Sequence, residues 1–572
     1  MRPSNTTQRF RGRYWFTRVV LTVAMAALAG RALQLQIIDS DYLQKQGNSR
    51  FLRVINEVPT RGMIVDRNDQ PLAISTPVDS LWVNPDVLWE NQRSIGQLAK
   101  LLDTRPGELR RTLKSNLGKE FMYLKRQVSP AYAENVISRD IPGVYVQREY
   151  RRYYPAGEAA GHVIGFANVD DQGQEGLELL YNTKLTGQSG RSRVLKDRLG
   201  HTVERVESLG LSEAGDNIRL SLDRRLQYLA YRELKKAVRY HRARAGTAVI
   251  VDVQNGEILA LVNQPSFNPN NRSALYGDLY RNRAATDLFE PGSTFKPFVI
   301  AAALEAKVIT PSTTFDTSPG YLKIGARTIR DARNYGRLNI AGVIKKSSNV
   351  GATRIALMTP KQKIWDTLAG FHFGAESGTG MPGEVSGQMM GHKQWTQVDQ
   401  ASLSFGYGIS TTSLQLVRAY AALANDGLMS PLSLQKLNTA PAQSRVVSKN
   451  TARQLRGMLE AAVNEGGTGV AANIPHYRIA GKTGTIHKYV NGAYSEDRYV
   501  SLFAGFAPAS KPRFAMVVTI DEPRENGYYG GQVAAPVFSN VMAGALRLLN
   551  VTPDEPAGSV KHLVKAMSQE AG

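Results

Sequence analysis

Cysteine is absent from all 572 residues, which excludes disulfides, thiolate metal ligands and a thiol nucleophile. The eight histidines are scattered without metal-site spacing, so neither a metal nor another cofactor is expected. No Gly-x-Ser-x-Gly elbow occurs, which disfavours a Ser-His-Asp hydrolase. Acidic residues are missing between Met1 and Ile38, while Arg2, Arg9, Arg11, Arg13 and Arg18 precede the apolar run Val19 to Gly30. Basic flanks stay on the cytoplasmic side of a membrane. The run alone is too short to cross about 30 Å of hydrocarbon. Extended through Tyr14 to Thr17 and Ala32 to Ile38, with Arg18 and Arg31 snorkelling from near its ends, it becomes an uncleaved anchor over residues 15–38 behind a cytoplasmic basic tail, 1–14. The alternative is a cleaved signal, because Ala27-Leu28-Ala29 fits a small-residue cleavage site. In both cases the remaining chain lies across the membrane from the cytoplasm.

What is present is a large, ordinary globular composition with a strong positive bias. There are 71 Lys and Arg against 49 Asp and Glu, a formal charge of +22. Such a balance suits an anionic partner: nucleic acid, a lipid surface or a wall polymer. Without zinc-finger spacing or an aromatic RNP-like run, nucleic acid is disfavoured. Residues 39–220 read as a basic α+β domain with short extended pieces and turn signals such as Arg67-Asn68-Asp69. A helical run from Leu222 to Tyr240, with Leu222, Leu226, Leu229, Ala230 and Leu234 on one face, opens a second domain over 221–550. Strands are expected at Ala248 to Val253 and Glu257 to Val262 around Asn255-Gly256, then at Tyr477 to Thr485, Val500 to Phe506 and Phe514 to Ile520. Helical patterns fill the interval, which predicts an α/β sandwich: an antiparallel sheet of about five strands covered by helices. Residues 551–572 read as a loose C-terminal tail.

Glu290-Pro291-Gly292-Ser293-Thr294-Phe295-Lys296 opens an apolar helical run. Serine is inert at neutral pH without a base beside it, and a lysine three residues on can serve if its surroundings keep part of it neutral. One Ser-x-x-Lys is weak by itself, since roughly one or two arise by chance in a chain this long. Ser433-Leu434-Gln435-Lys436 is such a match and reads as structural. Ser293 differs because Ser347-Ser348-Asn349 and Lys482-Thr483-Gly484-Thr485 follow in order. Together they make the SxxK, SxN and KTG set of serine acyl-transfer enzymes. Ser347 can relay a proton between Lys296 and a leaving amine, and Asn349 can hold a substrate amide through its donor and acceptor. Lys482 adds positive charge, and Gly484 permits close backbone approach. Thr485 would supply its N–H, with that of Ser293, to an oxyanion hole, and its hydroxyl with that of Thr483 could bind a carboxylate. Two imitations fail: Gly481-Lys482-Thr483 has His476 where a P-loop needs glycine, and Gly378-Thr379-Gly380-Met381-Pro382-Gly383 puts proline where a dinucleotide-binding helix should run.

On these motifs the chain resembles a class B penicillin-binding protein, the monofunctional transpeptidase of the division type. The likeness extends into the first domain through Arg61-Gly62-Met63-Ile64-Val65-Asp66-Arg67-Asn68 and Arg151-Arg152-Tyr153-Tyr154-Pro155, with Gly157, His162, Gly165, Phe166, Gly173, Gly176 and Glu178. It continues in Phe405-Gly406-Tyr407-Gly408, and in Gly530-Gly531 with Ala534-Ala535-Pro536. The resemblance implies a pedestal (dimerisation-like) domain and a periplasmic penicillin-binding, serine β-lactamase-like transpeptidase domain held by a single-pass anchor in the bacterial inner membrane. It also implies a D-Ala-D-Ala stem peptide as donor, covalent inhibition by β-lactams, and partnership with an FtsW-like lipid-linked-glycan polymerase and other division proteins. Ser347-Ser348-Asn349-Val350-Gly351 carries the septal assignment, since the elongation type usually has Asp at the third position. Asp69 stands where glycine is usual, and Ile486-His487 replace the small residue common after the KTGT run, which fits a specialised copy. The rival readings are a class D β-lactamase-like penicillin hydrolase or sensor, and a division scaffold with vestigial chemistry.

Overall fold

In a computed structural model, residues 6–57, 59–196, 202–272, 278–490 and 492–555 are described. The expected tails therefore lie partly outside the described residues, at 1–5 and 556–572. Thr6–Leu33 is one α-helix, followed by a π-helical segment, Gln34–Ile38, and a helix Ser40–Phe51. Arg11–Ile38 comprises 28 residues, none buried, and contains an 18-residue window of mean hydropathy 1.5. At 1.5 Å per residue this is about 42 Å, enough by length and composition to cross a bilayer. Arg31 lies inside this stretch and donates to Gln34 Oε1 at 2.8 Å.

By contacts the chain divides into two units, the first formed by Met1–Thr60, Pro77–Tyr150 and Gly187–Ala214. Within it, strands Leu52–Glu57, Gly190–Lys196 and Thr202–Gly210 form an antiparallel sheet. Helices Pro85–Glu90, Gln92–Leu101 and Pro106–Lys114 pack around Leu88, Ile95, Leu98 and Leu113. Two of them open on proline, whose fixed φ and missing N–H suit a first turn.

The second unit comprises Arg61–Thr76, Arg151–Thr186 and Gly215–Gly572. Its elements are α1 (Arg224–Tyr240), β1 (Ala245–Asp252), β2 (Ile258–Gln264), α2 (Lys296–Glu305), α3 (Asn349–Met358), α4 (Ser413–Ala424), α5 (Lys449–Val463), β3 (Ala480–Val490), β4 (Ala493–Ala507), β5 (Phe514–Asp521) and α6 (Ala535–Leu548). The sheet is five-stranded, order β2-β1-β5-β4-β3, and every pairing is antiparallel. Successive side chains on a strand point to opposite faces. Val249, Val251, Ala515 and Val517 accordingly enter the core that contains α2 and α4, while Ala248, Ile250, Met516 and Val518 enter the one that contains α1 and α6. Because both faces are covered, the central strands are apolar throughout rather than alternating. The sandwich expected from the strand signals is what forms.

The motif segments after Arg61 are tied together by charge. Glu178, fully buried, accepts from Arg61 Nε at 2.7 Å and Arg152 Nε at 2.6 Å. Asp66 accepts from the backbone N–H groups of Asn68 and Gln70 through one oxygen and from that of Arg224, at the start of α1, through the other. Between them Asp69 has φ 61°. This left-handed position explains why glycine is usual there; aspartate is among the residues that tolerate it. Its carboxylate meets Arg219 at 2.5 Å.

Candidate active site

Ser293 sits in a 3-10 turn, Gly292–Phe295, and the α-helix proper opens at Lys296. In a 3-10 turn residues i and i+3 eclipse, so the pair is brought face to face more directly than an α-helix would bring it. Nine of the ten α2 residues are buried, which makes it a core helix and the support of Ser293 rigid. The turn is clamped from behind: Thr294 accepts from Tyr420 Oη through its carbonyl at 2.8 Å, and Gly406 lies so close that a Cβ there would be 2.2 Å from Gly292 O. With φ +82° as well, position 406 admits only glycine without moving the turn that bears Ser293.

Lys296 Nζ is the hub. It lies 2.8 Å from Ser293 Oγ, 2.7 Å from Ser347 O, 3.2 Å from Ser347 Oγ and 2.7 Å from Asn349 Oδ1. The side chain is fully buried, and burial holds its ammonium far below lysine's ordinary range; the charge of Lys482 pushes the same way and that of Asp331 opposes. A lysine in this state can accept the Ser293 proton. Lys482 is also fully buried, on β3, and burial alone brings it down to about 7. Its Nζ touches Thr483 O at 3.1 Å and Thr483 Oγ1 at 3.3 Å, and Thr483 Oγ1 shares a hydrogen bond with Thr468 Oγ1 at 2.7 Å.

The structure thus brings Ser293, Lys296, Ser347 and Asn349 into one hydrogen-bonded group, with Lys482 coupled through its field. Ser347 ends the helix Ile340–Lys346 with φ 57°, a conformation serine rarely adopts, and this aims both its oxygens at Lys296. Thr485 Oγ1 accepts from Gly530 N–H at 2.9 Å, leaving its proton free to donate. Gly484 is hemmed in from inside: a Cβ would lie 3.1 Å from Thr294 Cγ2, and Gly530 packs with a would-be Cβ 2.3 Å from Gly484 O. The other Ser-x-x-Lys match is inert, since Ser433 Oγ donates to Gln435 O and Lys436 Nζ to Arg67 O. The Gly378–Gly383 segment is a loop folded onto Glu384, which accepts from Thr379 Oγ1 and Gly380 N–H.

Sequence reasoning missed Asp331. Its carboxylate accepts from Ser348 Oγ at 2.6 Å, Asn349 N–H at 2.5 Å and Val350 N–H at 3.0 Å, while Ser348 Oγ accepts from Gly351 N–H. The first turn of α3 is therefore capped twice, and Ser347 and Asn349 are fixed to either side of the cap. Nothing in the Arg-rich stretch around Asp331 marks it by spacing; only its charge sign among Arg327, Arg330, Arg333 and Arg337 sets it apart.

Residues 246–543 match the penicillin-binding protein transpeptidase domain and residues 56–220 the penicillin-binding protein dimerisation domain. The chain is 42% identical over 539 residues to peptidoglycan D,D-transpeptidase FtsI of Escherichia coli, covering 93% of this chain and 91% of that one. To the probable peptidoglycan D,D-transpeptidase PenA of Neisseria gonorrhoeae it is 40% identical over 556 residues, covering 96% and 95%. A crystal structure of penicillin-binding protein 3 from Mycobacterium tuberculosis, complexed with aztreonam, aligns at TM-score 0.69 with 28% identity over 88% of this chain and 99% of that one. With a full-length likeness on both domains and the SxxK and SxN residues gathered around one buried lysine, the chain belongs to the class B penicillin-binding proteins.

Proposed function

We propose that this protein is a serine D,D-transpeptidase that cross-links peptidoglycan stem peptides through an acyl-enzyme on Ser293. The observation that carries it is the 2.8 Å contact between Ser293 Oγ and a buried Lys296 whose proton affinity is strongly reduced. Lys296 takes the hydroxyl proton as Ser293 Oγ attacks the carbonyl of the penultimate D-alanine. The N–H groups of Ser293 and Thr485 receive the developing oxyanion. Ser347, 3.2 Å from Lys296 Nζ, passes the proton to the departing D-alanine amine. An amine of a second stem peptide then attacks the ester, its proton passing by way of Lys296 to Ser293 Oγ as the C–Oγ bond breaks and the peptide bond forms. Asn349 has one side-chain hydrogen beyond that given to Arg330 O, which suits the substrate amide. The hydroxyls of Thr483 and Thr485, beside Lys482, suit the terminal carboxylate. β-Lactams, which mimic the D-Ala-D-Ala terminus, enter the same route and stop at the ester.

We place the pedestal at 39–220 and the transpeptidase domain at 221–550, with the apolar helix as a single-pass inner-membrane anchor and the catalytic domain in the periplasm. The match of residues 56–220 and 246–543 to two family domains supports this division. We infer the septum as workplace and an FtsW-like polymerase as partner; the Asn349 variant of the second motif and the likeness to FtsI support this reading. The deciding measurement is intact mass after exposure to a labelled penicillin: a stable adduct lost in Ser293→Ala is expected. An unchanged mass would sink the enzyme reading, and rapid return to the free mass would point to a β-lactamase.

A further inference from the structure

Apart from the acyl-transfer site, the second unit has a concavity of about 770 Å³ at the N-terminal end of α1, within the size range of ligand sites. It is walled by the turn after Asp66, by the segment from Pro155 and by the first turn of α1. Three of its polar groups are already engaged and make the walls rigid. Asp66 is saturated by backbone N–H groups, Gln227 bonds Ala159 O, Leu261 O and Leu261 N–H, and Arg225 grips Asp223. Four side chains keep capacity to spare. Asn68 retains its amide oxygen, and the side chains of Gln70, Arg224 and Tyr228 have no hydrogen bond or ion pair among the described residues. Tyr228 is 57% exposed, and Ala156 and Ala159 supply an apolar wall.

Planar amides and a guanidinium bond hydroxyl and acetamido groups in pairs, and a tyrosine ring packs on the C–H face of a pyranose. This is sugar-recognising chemistry. From Tyr228 the same helix face continues through Arg232, Lys236 and Arg239, all exposed and spaced four, four and three residues apart. Arg232 is paired with Glu233 at 2.8 Å, whereas Lys236 and Arg239 have no ion pair among the described residues, so the row beyond Arg232 is an unneutralised cationic track leading from the concavity. A ligand that fits both parts is a chain of amino sugars carrying carboxylates at intervals.

We propose that the concavity and the track beyond it form an exosite for the glycan strand of the wall polymer. Sugar rings sit against Tyr228 between Gln70 and Arg224, and the carboxylates of attached peptides lie on Lys236 and Arg239. The choice of polymer rests on the transpeptidase reading; the sugar chemistry of the concavity does not. Such a site would hold a strand on the enzyme while successive stem peptides reach Ser293.

The test uses the full chain in detergent micelles and end-labelled peptidoglycan glycan strands, with and without their peptides, read by fluorescence anisotropy. Binding of both strand types is expected to survive Ser293→Ala. Gln70→Ala and Tyr228→Ala should each weaken it by about three- to ten-fold, the worth of one lost contact. Arg239→Glu should weaken peptide-bearing strands alone. Penicillin acylation, measured on the same Gln70, Tyr228 and Arg239 variants, should be unchanged. Normal acylation with strand affinity unaltered in Gln70→Ala and Tyr228→Ala overturns the exosite while leaving the enzyme reading intact. Loss of binding to phosphatidylglycerol vesicles in Tyr228→Ala, with strand binding kept, overturns it in favour of a lipid surface.

Discussion

Asp331→Ala separates the acyl-transfer residues from the cap that holds them. The substitution removes three hydrogen bonds to a carboxylate, at 2.6, 2.5 and 3.0 Å, and leaves two N–H groups at the start of α3 without their acceptor. Bonds to charged groups are worth about 1.5–3 kcal/mol each, and water can replace part of that at a half-buried position, so a net loss of about 2–4 kcal/mol in stability is expected. The larger effect is on geometry. Ser347 and Asn349 flank the lost cap, and a displacement of about 1 Å in groups that contact Lys296 is worth about a hundred-fold in rate. The assay is the second-order rate of acylation by a fluorescent penicillin across pH, with thermal unfolding alongside. Asp331→Asn adds a sign test, because it keeps most of the shape and removes the charge. That charge raises the proton affinity of Lys296. Without it neutral Lys296 persists to more acid solution, so the acid limb of acylation moves to lower pH. Acylation within two-fold of the parent in Asp331→Ala, or an acid limb that moves upward in Asp331→Asn, would refute the reasoning.

Lys482→Met should abolish most acylation yet stabilise the fold. The lysine's folded value of about 7 lies below its unfolded value near 10.4, so the unfolded chain binds the extra proton between them; stability of the parent is greatest above that window and falls by about 1.4 kcal/mol per unit as pH drops through it. Chemical denaturation at pH 7 and pH 9.5 checks this, and a gap between parent and variant that fails to widen on acidification counts against a buried Lys482 without an anionic partner. Glu178→Ala leaves Arg61 and Arg152 buried without their shared anion and should cost about 3–5 kcal/mol, read as a lowered midpoint in urea. Gly406→Ala drives a Cβ to 2.2 Å from Gly292 O and should depress acylation by at least about ten-fold; a rate equal to the parent's would contradict the clamp.

Much of this protein is written in local pattern. Ser293, Lys296, Ser347, Asn349 and Lys482 stand out in the sequence because each motif is short and the three follow in order, and the structure gathers the first four around the Lys296 amine. The strands of the sheet were legible because a sheet covered on both faces needs unbroken apolar runs, and the helix expected over 222–240 forms as Arg224–Tyr240 because its apolar face repeats at helical spacing. The identity of the proposed reacting groups is therefore a property of the sequence. Their reactivity is not. A lysine three residues after a serine is an ordinary cation until α2 is buried on all sides and Lys482 is brought near it, and both depend on helices and strands remote in sequence. Asp331 lies 38 positions after Ser293 and carries no periodic signal, so its role as a cap exists only once the turn bearing Ser347 folds over it. The concavity beside Tyr228 likewise needs Asn68, Pro155 and Arg224 to meet. Local sequence chooses chemistry because side-chain type is local; tertiary structure sets proton affinity and aim because desolvation and distance depend on everything packed around a group.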